Sequence, residues 1–199
     1  HPPVDVARFQ PAGRPEDYFL IVSRLVPYKR IDLAIQAFNR LGLPLVIAGD
    51  GRDRARLEAM AGPNITFLGR VSDERLPDLY ARCRAFIFPG HEDFGIAPVE
   101  AMAAGRPVIA FAAGGALDTV VEGVTGLFFR EPTPESLAEA VQRLSALSFN
   151  PAVIRRHAER FDRRRFQEKI KKIIEEAWEA PRRGLEIEGT LIARWTSTP

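Results

Sequence analysis

Tyr18-Phe-Leu-Ile-Val-Ser23, Ile31-Asp-Leu-Ala-Ile-Gln-Ala-Phe-Asn-Arg-Leu41 and Leu45-Val-Ile-Ala48 follow one another along the chain, and their reading decides the fold. The first and third runs are compact, apolar and of strand length. The middle one places apolar residues at Ile31, Ala34, Ile35, Phe38 and Leu41, the spacing of one helix face. A strand that is apolar throughout, not at every second residue, belongs to a sheet covered on both faces. Strand, helix, strand in succession then gives parallel neighbours joined by a right-handed crossover. The alternation continues with strands expected at Ile65–Leu68, Ala85–Phe88, Pro107–Phe111 and Gly126–Phe129. Helices are expected over Arg52–Ala61, from about Asp73 to Cys83, from about Ala97 to Ala104, near Leu117–Val121, and over Pro134–Leu147. The fold class is therefore α/β: a doubly wound, Rossmann-like parallel sheet of about six strands with helices on both faces, plus C-terminal helices.

Around this unit, residues 16–150, lie three other segments. Residues 1–15 are extended and marked by prolines. Residues 151–180 read as one or two charged helices packing on the domain, broken near Phe161–Asp162. Residues 181–199 have no clear pattern; Leu185, Ile187 and Leu191 read as an edge strand or as part of a disordered tail. Of the 199 residues, 46% are hydrophobic and 27% charged, which excludes a fibrous or disordered chain. The 28 Lys and Arg against 26 Asp and Glu leave +2, too even a balance to imply nucleic-acid binding. One cysteine, Cys83, makes no disulfide framework and no cysteine-rich metal site; it reads as a small core residue in a reducing, cytoplasmic compartment. No apolar stretch approaches the ~20 residues that span a bilayer, and the N-terminus lacks the layout of a signal peptide. The chain opens on His1, not Met, so a piece of a longer protein is expected.

In a doubly wound sheet the binding crevice lies past the carboxyl ends of the strands. That singles out the loops Arg24–Arg30, Gly49–Asp53, Gly69–Asp73, Pro89–Ala97 and Ala112–Leu117. Arg24 and Lys29 flank the Val26-Pro27 turn after the first strand, and two cations there suit a diphosphate; the same spacing also fits surface cations on a solvated loop. Gly49-Asp50-Gly51 permits close backbone approach, but position 54 is Arg, so the third glycine of the dinucleotide fingerprint is missing. The first strand-to-helix loop holds no glycine at all. A nicotinamide or flavin enzyme is not expected.

The richest stretch is Pro89-Gly-His-Glu-Asp-Phe-Gly-Ile-Ala-Pro-Val-Glu-Ala-Met-Ala103. It sets Glu92 in the loop and Glu100 in the following helix, with seven residues between. Pro98 is acceptable early in a helix, and the free amides around Phe94 to Ala97 make an anion site. Acids on both sides of an anion site fit a ligand that also carries hydroxyls, since carboxylates accept hydrogen bonds. A phosphate-linked sugar has that chemistry. Each glutamate also has a plainer reading, Glu92 as a loop residue facing water and Glu100 as an ordinary exposed helix residue or a partner for Arg106.

With these residues in view, the chain from about His1 to Ala180 resembles the C-terminal, donor-binding half of GT-B glycosyltransferases, in particular the retaining family 4, or group 1. The likeness rests jointly on His1–Phe9, similar to the linker between the halves, Ser23-Arg-Leu-Val-Pro-Tyr-Lys29, Ala48-Gly-Asp-Gly51, Phe67-Leu-Gly-Arg-Val71, the Glu92-x7-Glu100 spacing, and Ala101-Met-Ala-Ala-Gly-Arg-Pro-Val-Ile-Ala110. The resemblance implies roles. Arg24 and Lys29 neutralise the leaving diphosphate, and Glu92 holds sugar hydroxyls; these three count as catalytic. Gly49 lies beside the donor, Val71 meets the base through its backbone, Phe94, Gly95 and Ile96 offer amides, and Glu100 holds the ribose. It further implies a UDP- or GDP-sugar donor, retained anomeric configuration, no metal and no other cofactor. The Glu-Asp-Phe-Gly-Ile wording leans toward mannosyl-type relatives. The acceptor site would lie in an N-terminal domain, so the chain alone is expected to bind donor without transferring it.

Two other classes of function compete with this reading. A glycoside hydrolase would use Glu92 and Glu100 as an acid/base pair, awkward for carboxylates from one loop and its own helix. A non-catalytic α/β interaction domain would gain no protection from nucleotide. The basic run from Arg155 to Lys172 reads as a solvated face with salt bridges to Glu159 and Glu168; the sharper alternative is contact with an anionic membrane surface or a lipid-linked acceptor. Part of Phe166–Trp178 would face the N-terminal domain, and His91 reads as an exposed loop residue.

Overall fold

The computed structural model describes residues 1–179. Six strands, β1 (Phe19–Val22), β2 (Leu45–Ala48), β3 (Ile65–Gly69), β4 (Ala85–Phe88), β5 (Val108–Phe111) and β6 (Gly126–Phe129), form one sheet in the order β3-β2-β1-β4-β5-β6. Every neighbouring pair is parallel. The helices are α1 (Ile31–Leu41), α2 (Arg54–Met60), α3 (Leu76–Arg82), α4 (Ile96–Ala103), α5 (Ala116–Thr119), α6 (Pro134–Ser145), α7 (Pro151–Ala158) and α8 (Arg163–Glu179). The expected doubly wound sheet is thus present, and its strand order reverses between β1 and β4.

The apolar runs have a direct cause. Phe19, Ile21, Ile47, Ile87, Ile109 and Leu127 point to one face and pack with Phe38 of α1 and Leu137 and Val141 of α6. Leu20, Phe86, Val108, Ala110 and Phe128 point to the other and pack with Tyr80 of α3, Val99 and Met102 of α4 and Ile154 of α7. Successive side chains alternate in direction, and both directions are buried. β3 alone reverts to alternation: Thr66 and Leu68 are exposed, as an edge allows. Cys83 is buried in the core, as expected.

Element ends move where neighbouring loops compete for the backbone. α2 starts at Arg54, not Arg52, because the amide of Asp53 donates to Leu25 O at 3.1 Å. α3 starts at Leu76 after a turn in which the amides of Arg75 and Leu76 both donate to Ser72 O. α5 sits at Ala116–Thr119, slightly before the expected span. The break near Phe161–Asp162 is real: α7 runs into a 3-10 turn at Glu159–Phe161, Asp162 is extended, and α8 follows.

Residues 1–15 are tied down. Val4, Val6 and Phe9 are buried, and Val4 bridges Asp162 through Val4 N–H to Phe161 O and Arg163 N–H to Val4 O. Two buried or half-buried arginines hold the rest. Arg106, 4% exposed, donates to the carbonyls of Ala81, Ala12 and Gly13. Arg155 donates to the carbonyls of Phe9 and Ala103. Arg106 is therefore no partner of Glu100, and Arg155 keeps the expected ion pair with Glu159 at 3.8 Å while its guanidinium turns inward to those carbonyls. Among the described residues no helix is long and apolar enough to cross a membrane. The expectation for residues 181–199 lies outside the described residues.

Candidate functional site

The reversal of strand order sets the loops after β1 and β4 against each other, and most of the expected site residues stand on them. After β1, a 3-10 turn at Pro27–Lys29 carries Lys29, and Arg30 closes it at φ +52 before α1 begins. The β4 loop comes so close that a Cβ on Gly90 would lie 3.0 Å from Lys29 Cα. This approach lets the Lys29 ammonium form an ion pair with the Glu92 carboxylate, both side chains less than one-fifth exposed. Arg24 is exposed, and its guanidinium has no hydrogen-bond or ion-pair partner among the described residues.

α4 begins immediately after. Gly95 serves as its N-cap at φ +86, a left-handed conformation that glycine adopts without penalty. No side chain caps this end, and Pro98 has no amide to offer, so the free donors are Ile96 and Ala97. Unpaired amides and the aligned peptide dipoles make such an end attractive to anions.

Two cavities meet over the switch. One, about 400 Å³, is lined by Arg24, Lys29, Glu92, Phe94, Gly95 and Ile96, with Asp93 and Ala97. The other, about 690 Å³, is lined by Gly49, Asp50, Gly51, Arg70, Val71 and Leu76. Val22, Ser23 and Arg24 line both, so the two are halves of one crevice with Arg24 at the junction. The structure thus brings together Arg24, Lys29, Glu92, Phe94, Gly95 and Ile96 in one half and places Gly49 and Val71 in the other. His91 is exposed.

Glu100 stands apart and lines neither cavity. It lies one turn beyond Ala97 on α4, mostly buried, and accepts a hydrogen bond on Oε2 from the Tyr80 hydroxyl at 2.8 Å. Burial pushes its carboxyl above the usual range, while the Tyr80 hydrogen bond and then Arg8 pull it back. A carboxyl whose folded value exceeds its unfolded one costs stability once ionised, and the cost vanishes below the unfolded value. Glu100→Gln is therefore expected to melt above the wild type at pH 7, with the gap closing as pH falls below the ordinary glutamate range. Thermal melts from pH 3 to pH 8 check this.

Gly49 and Gly51 serve the neighbouring loop as much as any ligand. A Cβ on Gly49 would fall 1.8 Å from Ser23 O, and one on Gly51 2.2 Å from Leu25 O. Reading the sequence did not single out Gly114 and Gly115 in the loop after β5. The amide of Gly115 donates to Glu92 O at 2.8 Å, and a Cβ there would lie 2.2 Å from Phe94 Cα. A Cβ on Gly114 would lie 2.2 Å from Glu92 O. The pair braces the Glu92–Phe94 loop from behind. Adjacent glycines in a crevice loop were the available signal. Behind Phe94, the rings of Phe161 and His1 lie with centroids 5.8 and 5.3 Å away.

Comparison with known proteins adds the following. The sequence pattern of the family described as glycosyl transferases group 1 matches residues 6–172. A GDP-mannose-dependent alpha-mannosyltransferase of Mycobacterium tuberculosis is 38% identical over 140 residues, 67% of this chain and 36% of its own length. A D-inositol 3-phosphate glycosyltransferase of Mycobacterium bovis is 30% identical over 174 residues, 76% of this chain and 36% of its own. The chain thus spans about a third of the length of these relatives. Among solved structures, sucrose-phosphate synthase from Thermosynechococcus elongatus superposes with a TM-score of 0.77 at 25% identity, over 90% of this chain and 52% of that one. HepE of Anabaena, in complex with UDP and glucose, superposes with a TM-score of 0.75 at 22% identity, over 87% of this chain and 55% of its own.

Proposed function

Because the chain belongs to the group 1 glycosyl transferases, we propose that it is the donor-binding half of an enzyme that moves a sugar from a nucleoside-diphosphate sugar to an acceptor. One observation carries the reading: Arg24, Lys29 and the uncapped start of α4 open into a single cavity. The diphosphate sits at Arg24, the nucleoside runs toward Val71, and the sugar lies by Glu92. A GDP-linked mannose is the leading donor, because the relatives include mannosyltransferases named for GDP-mannose. Breaking the glycosidic bond leaves negative charge on the diphosphate, and preorganised donors placed there lower the barrier. Arg24 can fork onto two oxygens, Lys29 adds a compact charge, and the amides of Ile96 and Ala97 take a third direction. In this reading these groups carry the charge without a metal or other cofactor, and the sugar leaves with its configuration retained. The acceptor half belongs to the part of the relatives' length that this chain does not span. The exposed Ile174 and Trp178 on α8 suit a face that such a domain covers.

Lys29 is held by Glu92, so phosphate and carboxylate compete for one ammonium. Glu92 is released toward sugar hydroxyls as the phosphate takes Lys29. Glu92→Gln is accordingly expected to bind bare GDP or UDP as tightly as the wild type or tighter, yet lose its preference for the sugar-linked form. The decisive experiment is calorimetry on this chain with GDP, UDP, ADP and their sugar conjugates. Saturating binding of one nucleoside diphosphate supports the proposal; no binding to any of them sinks it and returns the chain to a non-catalytic role.

A further inference from the structure

We infer that Tyr80 is the positioning residue for nucleoside recognition, holding Glu100 so that its free oxygen meets the ribose diol. The inference rests on the donor reading above and adds to it a residue that never touches the ligand. Tyr80 lies on α3, one turn beyond Leu76, which lines the larger cavity. Glu100 lies on α4, one turn beyond Ala97, which lines the smaller one. Residues three and four apart share a helix face, so each member of the pair stands one turn behind a residue that lines the crevice.

Tyr80 has no freedom there. It is fully buried, with Phe9 edge-on at 5.4 Å and Phe86 at 5.5 Å between ring centroids. Its hydroxyl is locked onto Glu100 Oε2 at 2.8 Å. Burial, then the neighbouring Glu100 charge, keeps the phenol protonated far into alkaline pH, so it remains a donor. A carboxylate has about four acceptor positions, and this hydrogen bond occupies one. Glu100 Oε1 has no partner among the described residues. Among the described residues no buried side-chain oxygen or nitrogen is left unsatisfied, so Oε1 is an atom that solvent or a ligand can reach. A fixed carboxylate with an accessible oxygen, one turn behind the crevice lining, suits a pair of adjacent hydroxyls. A rotating carboxylate would have to be ordered at the moment of binding.

The test is calorimetry with GDP or UDP, whichever the panel selects, against its 2′,3′-dideoxy analogue. The wild type is expected to favour the ribose form by about 10-fold or more. Tyr80→Phe keeps the ring and removes the donor; it should shrink that ratio to about threefold while leaving affinity for the dideoxy form unchanged. Glu100→Ala should abolish the ratio. Glu100→Asp, which withdraws the carboxylate from the hydroxyl by one methylene, should shrink it as Tyr80→Phe does and serves should that variant fail to fold. A merely structural Tyr80 would weaken both ligands alike, and that result, or an unchanged ratio in Tyr80→Phe, overturns the inference. A wild type that binds both forms equally also overturns it and leaves the donor reading standing. Binding of neither form overturns the donor reading itself, and this inference with it.

Discussion

Arg24→Ala should lose about 100-fold in affinity for a nucleoside diphosphate while its melting temperature without nucleotide stays where it was. The two halves of this expectation have separate causes. Arg24 lines both cavities, so a diphosphate spanning them must pass its guanidinium. Hydrogen bonds to charged groups contribute about 1.5–3 kcal/mol each, and a forked pair of them lost at one residue is about 3 kcal/mol, or 100-fold. Stability should not change because Arg24 is exposed and has no partner among the described residues to leave behind. Arg24→Lys should recover only part of the loss, since an ammonium cannot fork. Titration calorimetry paired with thermal melts reads both quantities. An affinity within threefold of the wild type would remove Arg24 from the diphosphate site.

Gly115→Ala should behave in the opposite way, damaging a loop from a position that lines neither cavity. The added Cβ would lie 2.2 Å from Phe94 Cα and 2.5 Å from Asp93 O. Neither is the end of a flexible side chain, so the backbone itself must move. Phe94 is pinned from behind by Phe161, which leaves displacement into the crevice as the available relief. Forced overpacking costs about 1–3 kcal/mol, here at the upper end, or roughly 5–10 °C in a domain of this length. Donor affinity should fall about 10-fold, because Glu92 and the amides after Gly95 ride on the displaced segment. Gly13→Ala is the control: no atom of the described residues lies within 4 Å of a Cβ there, and its melting point should match the wild type. If Gly115→Ala matched it too, the bracing role would be wrong.

The sheet was legible because its strands bury both faces. Phe19 to Val22 and Ala85 to Phe88 are apolar for a reason any reader of the sequence can state. The place of the crevice followed, and so did its lining by Arg24, Lys29 and Glu92, since such a crevice lies among the loops at the strand ends. Pairings that exist only because strands distant in sequence lie side by side were hidden. Lys29 meets Glu92 because β1 adjoins β4, and no spacing along the chain announces that. Arg155 reads as one cation among many in a basic helix, yet it also donates to the carbonyls of Phe9 and Ala103, distant in sequence. Tyr80 falls inside the helix expected from about Asp73 to Cys83, but the aim of its hydroxyl at Glu100 depends on a different helix, α4. Gly114-Gly115 was passed over because a glycine's role lies in what stands where its side chain would be.

The same glycines bear on any attempt to retailor this crevice. At positions 49, 51, 114 and 115 the volume a side chain would need is already filled by main-chain atoms of the adjacent loop. Randomising them would displace those loops and cost stability before it altered selectivity. Asp50, Arg70, Val71 and Asp93 also border the two cavities and already project side chains of their own. A library confined to those four would explore ligand preference on an intact frame.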